Sequence, residues 1–422
     1  MPELKVAIDA RLQTGVAGGV ESVIRGLATG LSRLEGGDER YMFLSYDDSR
    51  EWLEPSIGGA CSMLSAGPSP MSTQASRSRS LAKRAMPRLY GAVKSMPVIA
   101  RIRLPSIAPS DGRVERAGAA VVHFPIQGAF ATTIPSIYHP HDLQHVHLPQ
   151  FFSPRQRAIR EKAYSFFCHQ AATVAVTSSW SRQDIIEHYG LDPEKVKVLP
   201  WAPIVTEYPE PSPTDLEALR ARYGLPERFI FYPAQTWPHK NHMALLEALA
   251  LLRRDRGTVV PFVSSGFQNE YFSKLKHRED QLGLSDQTHW LGFVTPLELQ
   301  SLYRLATAVV VPTRFEAASG PVWEAFVAGT PVACSTVTSL PQQAGDAAIL
   351  FDPDDIPEIA DAIGRLWTEE GLRNLLVERG RAMVAPFSWD LTARLFRAEY
   401  RRIAGQSLTP EDLALLATKW PI

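Results

Sequence analysis

The chain has 422 residues, of which 45% are hydrophobic and 21% charged, and its formal net charge at pH 7 is −1. A chain of this length predicts two or three domains, and a net charge near zero gives no general argument for nucleic-acid binding. No apolar run reaches the roughly 18–20 residues of a membrane span, and the opening Met-Pro-Glu-Leu-Lys-Val lacks the pattern of a secretory signal.

Short apolar runs alternate with helical patterns along the whole chain, which predicts parallel sheets connected by crossover helices. The strand candidates of the first half are 6–9, 41–45, 121–124, 136–139, 173–177 and 196–199, and those of the second half are 229–232, 261–265, 289–291, 308–311, 331–334 and 348–351. Their near-continuous apolar character indicates burial on both faces. The proline-rich stretch 200–213 separates the halves and is interpreted as a linker. We expect two doubly wound domains with ligands at the carboxyl ends of their strands.

Two features of the first half are candidate binding elements. Gly18 and Gly19 follow the first strand and open a predicted helix, so the backbone there can approach an anion or an acceptor group, although a plain tight turn explains them equally well. His141 follows the strand 136–139 and has Asp142 beside it. A neutral imidazole can exchange a hydrogen bond with a hydroxyl group. The alternative is that this histidine-rich patch is structural or binds metal adventitiously.

The segment 55–110 is basic and amphipathic. It contains no acidic residue, and apolar residues lie between its basic ones. The eight lysines and arginines are Arg77, Arg79, Lys83, Arg84, Arg88, Lys94, Arg101 and Arg103. Basic residues near anionic lipid contribute about 1 kcal/mol each, and such a segment can lie in a membrane interface. The segment therefore predicts docking of the first domain on an anionic membrane surface. A solvated insertion is the alternative.

Residues 314–335 carry the most information in the second half. They join the predicted strand 308–311 to a short helix that Gly329 ends, with Glu316 in the loop before that helix and Glu324 one turn inside it. Pro321 suits the first helical position. The free N–H groups of the first turn, together with the helix dipole, predict a phosphate site. Carboxylates on both sides of an anion predict a hydroxylated ligand between them, and hence a nucleotide-sugar site. The alternative is that both glutamates are solvated surface residues.

This block resembles the retaining nucleotide-sugar glycosyltransferases of family four (group 1), whose usual wording is Glu-Gly-Phe-Gly-Leu-Pro-x-x-Glu-Ala. The positions that match the family pattern are Glu316, Pro321, Glu324, Ala325, Gly329, Pro331, Val332 and Ser335, whereas Ala317, Ala318, Ser319 and Gly320 depart from it. Further matches occur in the right order, at 8–11, 18–21, 141–143, 238–241, 291–294 and 345–348. The resemblance covers nearly the full chain outside 50–115 and the tail.

The resemblance implies the α/β GT-B fold, in which two doubly wound, Rossmann-like domains face a central cleft. Residues 1–205 would form the acceptor-binding domain with a basic insertion at about 55–110, and residues 214–390 the nucleotide-sugar domain. Residues 391–422 would be helical and pack back on the first domain. With three cysteines that have neither metal-ligand spacing nor a paired framework, we expect a cytoplasmic protein, with peripheral attachment to the inner face of the cell membrane as an extension of that expectation.

The implied activity is transfer of a hexose, with mannose as a guess, from a nucleoside diphosphate sugar to a glycan or lipid-linked acceptor, with retention of anomeric configuration. Surface polysaccharide assembly is the expected context, without nucleic acid as a partner. The sugar donor is a co-substrate, no cofactor is expected, and no metal is expected because no Asp-x-Asp lies where a divalent ion would hold the diphosphate. Two alternatives stay open: a nucleotide-sugar 2-epimerase and a non-catalytic sugar-binding protein on the same fold.

The same resemblance assigns roles to individual residues. The catalytic candidates are Glu316, which would contact the transferred sugar, Lys240, which would stabilise the departing diphosphate, and His141, which would face the donor sugar. The donor-binding candidates are Glu324 on the ribose hydroxyls, Gly18, Gly19, Ser319, Gly320, Pro321, Val322, Arg314 and, in the nucleobase loop, Phe293. The family generally has an arginine shortly upstream of this lysine, and none stands at 233–239. Arg314 is the candidate to compensate.

Overall fold

The computed structural model describes residues 3–12, 19–70, 105–420 and 422. Gly18 and the eight basic residues of the predicted membrane-docking segment lie outside the described residues. The described chain forms two parallel β-sheets with helices between most successive strands, as the alternation of apolar runs and helical patterns predicts.

The first sheet has seven strands in the order β3-β2-β1-β4-β5-β6-β7. They are β1 (Leu4–Asp9), β2 (Glu39–Ser45), β3 (Cys61–Ser65), β4 (Val121–Phe124), β5 (Ser136–Tyr138), β6 (Thr173–Val176) and β7 (Val196–Val198). The helices of this half are α1 (Gly19–Arg33), α2 (Arg113–Arg116), α3 (Gln144–His147), α4 (Pro154–Gln170) and α5 (Ser179–Tyr189). The sequence analysis missed β3, which lies inside the stretch assigned to the basic insertion. Two serines interrupt the apolar run of this edge strand, so it lacks the signal of a buried strand.

The second sheet has six strands in the order β10-β9-β8-β11-β12-β13. They are β8 (Ile230–Pro233), β9 (Phe262–Ser265), β10 (Thr288–Trp290), β11 (Ala308–Val311), β12 (Val332–Ser335) and β13 (Ala348–Phe351). The remaining helices are α6 (Pro213–Tyr223), α7 (His242–Arg256), α8 (Phe272–Leu282), α9 (Pro296–Leu305), α10 (Gly320–Ala328), α11 (Leu340–Ala344), α12 (Ile356–Thr368), α13 (Glu370–Val384), α14 (Trp389–Ile403) and α15 (Pro410–Ala417).

Local sequence explains where many of these helices begin and end. Ser153, Ser212 and Thr295 each accept the N–H of the residue three positions on and precede a proline, which needs no hydrogen bond in the first turn. Gly329 ends α10 with φ of 75°, a left-handed conformation that glycine adopts without steric cost. These signals fix the register in which the apolar helix faces meet the sheets.

The chain divides into two compact units. Unit one comprises Met1–Pro140, His145–Ala175 and Ala393–Leu416, and unit two comprises His141–Gln144, Val176–Thr392 and Ala417–Ile422. The division of the chain at 205, 214 and 390 that the sequence suggests stays a prediction.

A buried polar chain lies in unit one. The ring nitrogens of His123 lie 2.7 Å from the Tyr400 hydroxyl oxygen and 2.8 Å from Nε2 of His139, and the Phe396 ring stacks on the same imidazole. Burial lowers the pKa of His123 to about 3, so this histidine is neutral at physiological pH. At His139 the geometry agrees with a structural role, the alternative weighed for the histidine-rich patch.

The three cysteines are free and buried. Burial raises the pKa of the Cys61 thiol to about 11 and that of Cys334 to about 12. Since the thiolate is the reactive form, these two side chains behave as small apolar core residues at neutral pH.

Candidate functional site

The strand order of the second sheet reverses between β8 and β11, which are neighbours in the sheet. The connections that follow the carboxyl ends of two such strands run in opposite directions, and a crevice forms between them. Parallel sheets bind their ligands in such crevices. The segments that leave these two strands contain Lys240 and residues 312–319. The topology of unit two therefore places the sequence-predicted second-half site at one edge of one sheet.

Lys240 and Glu316, two of the three catalytic candidates, form an ion pair. Lys240 ends a short 3₁₀ turn, Pro238–Lys240, and Asn241 follows with φ of 60°, which redirects the chain into α7. The lysine ammonium donates a hydrogen bond to the Glu316 carboxylate, and the two side chains are 22% and 12% exposed. A lysine of this kind is more enclosed than a solvated first-turn residue and yet remains accessible to a ligand.

His239 supplies no positive charge beside this pair. Burial and the neighbouring Lys240 and His242 lower the pKa of His239 to about 3, so its imidazole is neutral near pH 7. His239 occupies the position at which the family pattern has arginine, and it is uncharged. Lys240 is therefore the cation of the segment 238–241.

Arg314 is engaged elsewhere on the same edge. Its guanidinium forms an ion pair with Asp354 at 2.7 Å, with the two side chains 35% and 68% exposed. Exposed pairs of this kind contribute about 0–1 kcal/mol, so a diphosphate can compete for the arginine. Its assignment as a compensating cation stays a prediction.

Side chains from elsewhere in unit two hold the loop between Glu316 and α10. The hydroxyls of Thr338 and Ser339 donate to the Glu316 carbonyl oxygen, and Thr338 Oγ1 also accepts the Glu316 N–H at 3.1 Å. The Ser178 and Ser181 hydroxyls donate to the Ala317 carbonyl oxygen at 3.0 and 3.4 Å. Sequence reasoning missed the first two contacts; a polar Thr-Ser pair shortly after β12 was the available signal.

The amino end of α10 lacks a side-chain cap within the described chain. The helix begins at Gly320, one residue earlier than predicted, so Pro321 is its second residue and not its first. Ser319 precedes it, is 1% exposed, and its hydroxyl has no hydrogen-bond partner among the described residues. The first-turn N–H groups thus face no protein cap, as an anion site at a helix amino end requires.

Glu324 points back toward this helix end. Its Oε2 accepts a hydrogen bond from the Tyr303 hydroxyl at 2.6 Å, and a Cβ placed on Gly320 would lie 3.4 Å from its Oε1. Burial raises the pKa of Glu324, and the Tyr303 hydrogen bond opposes that shift. The side chain is half-buried and not a solvated surface acid, and its part in the site stays a prediction.

Glu324→Gln should change how the stability of the ligand-free protein depends on pH. A carboxyl whose pKa is raised on folding stabilises the fold while protonated, and this contribution is lost as pH rises through the raised value. Glutamine still accepts the Tyr303 hydrogen bond but carries no charge. We therefore expect the variant to gain stability over the wild-type chain as pH rises above the ordinary pKa of a glutamate carboxyl, measured by urea unfolding. Glu217→Gln, at an exposed position on α6, is the matched control, and equal pH profiles for the two variants would contradict the assignment.

Phe293 lies at the same edge of the second sheet. Its side chain is 61% exposed, and its ring centroid is 6.0 Å from that of Phe267, which is 45% exposed. Gly266 brings the two loops together, because its N–H donates to the Gly292 carbonyl oxygen at 2.7 Å. Two exposed aromatic side chains that lie beside each other suit a planar ring ligand.

His141 and Gly19 have separate settings. His141 has φ of 63°, and its ring centroid is 5.4 Å from that of Trp201, while Oδ1 of Asp142 accepts the Gln144 N–H at 2.9 Å. A non-glycine residue held at positive φ is strained, a feature that clusters at functional sites. Gly19 begins α1 in unit one, and a Cβ placed on it would meet no atom within 4 Å among the described residues outside its own helix. Their part in the site stays a prediction.

Among the described residues, no group of three or more His, Cys, Asp or Glu side chains is arranged to hold a metal ion. In the same part of the chain, no helix combines the length and the apolar character that crossing a bilayer requires.

Two family models match successive parts of the chain. Residues 17–202 match "Glycosyltransferase Family 4", and residues 217–383 match "Glycosyl transferases group 1". Together the two matches take in every strand of both sheets except β1, and the second contains Lys240, Glu316 and Glu324.

Curated relatives are similar over somewhat more than half of the chain. The O-antigen chain mannosyltransferase B of Escherichia coli is 28% identical over 254 residues, which are 59% of this chain and 66% of that protein. The MMP alpha-(1->4)-mannosyltransferase of Mycolicibacterium hassiacum is 29% identical over 238 residues, 55% of this chain and 54% of that protein. The match spans less than two thirds of the length of these relatives.

A solved structure with the same fold is the Anabaena protein HepE in complex with UDP and glucose. It superimposes with a TM-score of 0.69 over 94% of this chain and 100% of HepE, at 18% sequence identity. At this identity the likeness shows the fold alone.

Proposed function

Because this chain belongs to the group 1 glycosyltransferases, we propose that it transfers a hexose from a nucleoside diphosphate sugar to a glycan or lipid-linked acceptor. The predicted fold class, α/β of the GT-B type, is confirmed by two parallel Rossmann-like sheets and by the neighbour structure. The central cleft and the assignment of acceptor and donor to the two halves are part of this proposal.

One observation carries the proposal: the Lys240–Glu316 pair lies at the same switch point as the uncapped amino end of α10. The helix end suits the diphosphate, and Lys240 adds the cation that stabilises the charge developing on it as the sugar leaves. Glu324, half-buried beside that end, would accept hydrogen bonds from ribose hydroxyls. Glu316 would contact the transferred sugar and would release Lys240 when the diphosphate arrives.

We further propose that transfer proceeds with retention, without a metal or cofactor, and that the departing diphosphate itself helps to take the acceptor proton. Under this scheme neither glutamate is a nucleophile, unlike the paired acids of retaining glycoside hydrolases. His141 is proposed to face the donor sugar, Phe293 to contact the nucleobase, and Arg314 to add charge near the diphosphate. Mannose is the favoured sugar because two of the relatives are mannosyltransferases.

The test is incubation of the purified full chain with labelled GDP-mannose and UDP-glucose, with and without EDTA, beside lipid-linked acceptors in neutral or anionic vesicles. We expect transfer of the mannosyl group, an α-anomer from an α-donor by NMR, no loss of activity in EDTA, and faster transfer on anionic vesicles. Formation of an epimer, or binding without transfer, would instead support the 2-epimerase or the non-catalytic alternative. Equal rates on the two vesicle types would contradict membrane docking.

A further inference from the structure

Three hydrogen bonds join Gln343 to the first turn of α10 and to Ser319, which precedes that helix. Its Oε1 accepts the Ser319 N–H at 2.7 Å, its Nε2 donates to the Ser319 carbonyl oxygen at 2.8 Å, and its own carbonyl oxygen accepts the Trp323 indole N–H at 3.1 Å. The glutamine is 5% exposed and belongs to α11. A side chain from one short helix thus holds both main-chain groups of the residue that precedes another helix.

This arrangement changes what Ser319 does. The hydroxyl oxygen of a serine at this position usually accepts a hydrogen bond from the N–H of the second or third helical residue. Here Pro321, the second residue, has no N–H, and the Ser319 hydroxyl caps nothing within the described chain. The hydroxyl is nevertheless buried and without a partner among the described residues. Buried polar groups are nearly always satisfied, so a ligand is the missing partner that the geometry indicates.

We propose that Gln343 is a positioning residue for the sugar donor. By fixing the Ser319 main chain, it directs the Ser319 hydroxyl and the first-turn N–H groups of α10 toward the donor diphosphate. This inference rests on the proposed glycosyl transfer. Gln343 touches no reacting atom; it acts through Ser319.

The chemistry requires a glutamine-like side chain. A primary amide both donates and accepts, so it can satisfy the N–H and the C=O of one residue at once. An apolar side chain of the same size can do neither, and it would leave two buried main-chain groups unpaired. The Ser178 and Ser181 hydroxyls hold the carbonyl of Ala317 two residues earlier. Because Ala317 and Ser319 are both held in this way, the loop 317–320, which departs from the family sequence pattern, has a fixed conformation before the donor binds.

The first variant is Gln343→Met, compared with Gln287→Met. Gln287 is also buried, at 2% exposure, and its Nε2 donates to the Val260 carbonyl oxygen at 3.0 Å, away from the donor loop. We expect Gln343→Met to raise both the Kd for GDP or UDP, measured calorimetrically, and the KM for the donor sugar by about tenfold, with a smaller change in kcat. Gln287→Met should lose comparable thermal stability while keeping the wild-type KM. Equal KM values in the two variants would overturn the inference.

The second variant is Ser319→Ala, which keeps the main chain that Gln343 holds. Removing an unpartnered buried hydroxyl should leave the ligand-free protein as stable as before or more stable, while donor KM rises several-fold, on the scale of one lost hydrogen bond. In the double variant Ser319→Ala/Gln343→Met, KM should match that of Gln343→Met alone, because the hydroxyl is no longer positioned. Unchanged KM in Ser319→Ala, or fully additive effects, would refute positioning through Ser319.

Failure of this inference and failure of the proposed function give different results. If the wild-type chain binds neither GDP nor UDP and transfers no sugar, the glycosyltransferase proposal is wrong. If the wild-type chain binds and transfers while the Gln343 and Ser319 variants behave like it, only the positioning role is wrong.

Discussion

Lys240→Met should lower kcat for sugar transfer by about 10²-fold or more, the scale on which a single preorganised donor to a developing anion contributes. Lys240 is the cation that the 3₁₀ turn Pro238–Lys240 supplies to the site. Its neighbour His239 adds no charge near physiological pH, because the pKa of that histidine is lowered to about 3. Methionine keeps the length and apolar stem of the side chain, so the loss reports on charge rather than on packing. Binding of GDP or UDP should weaken as well, because the ground-state diphosphate also meets this ammonium.

The measurement is steady-state kinetics with saturating acceptor, and calorimetry with the nucleotide alone. Lys274→Met is the matched control, since Lys274 is an exposed lysine on α8 of the same unit. An activity of Lys240→Met within about twofold of wild type, against the hundredfold scale of a catalytic donor, would remove Lys240 from the site.

Glu316→Gln should lower kcat as Lys240→Met does, but it should not weaken nucleotide binding. We expect kcat to fall by about 10²-fold, because the carboxylate proposed to contact the transferred sugar is lost where charge develops. Nucleoside diphosphate binding should stay the same or tighten. In the ligand-free protein Lys240 is hydrogen-bonded to Glu316, and a diphosphate has to displace that carboxylate to gain the lysine. Neutralising the acid removes the competitor.

Glu247→Gln serves as the control for this second experiment, because Glu247 is a half-buried acid in the same unit that pairs with Arg278. Loss of GDP and UDP affinity in Glu316→Gln would show that the acid supports the diphosphate rather than competing for its cation. Transfer at the wild-type rate would exclude the acid from the chemistry. Because Lys240→Met and Glu316→Gln are expected to change nucleotide affinity in different directions, the pair separates the two roles within one ion pair.

Much of the fold was readable from the sequence because both sheets are covered on both faces. Strands such as Ala308–Val311 are then uninterrupted apolar runs, and all twelve strand candidates overlap strands of the structure. The missed strand, Cys61–Ser65, lies at the sheet edge, where Cys61 alone of its five residues is buried and serines replace apolar residues. Edge strands do not need the apolar pattern on which the prediction depends.

The site was readable only where its residues are close in sequence or follow neighbouring strands. The loop acid and the helical acid of 316–324 share one segment, and Lys240 follows the strand beside it. The Tyr303–Glu324 and Gln343–Ser319 contacts join residues 21 and 24 positions apart. Tyr303 sits in a helix among leucines and looks like a core residue, and Gln343 looks like a helix-surface residue. Only tertiary structure gives either of them a polar partner.

The buried thiols have a practical consequence for following motion in this molecule. A maleimide or iodoacetamide dye reacts with an accessible thiolate, a form that the enclosed Cys61 and Cys334 scarcely populate, and Cys168 is equally shielded from solvent. One new cysteine on the surface of each compact unit would therefore take up donor and acceptor fluorophores without removal of the native residues. Single-molecule energy transfer could then record whether the distance between the two labels changes when nucleotide is added.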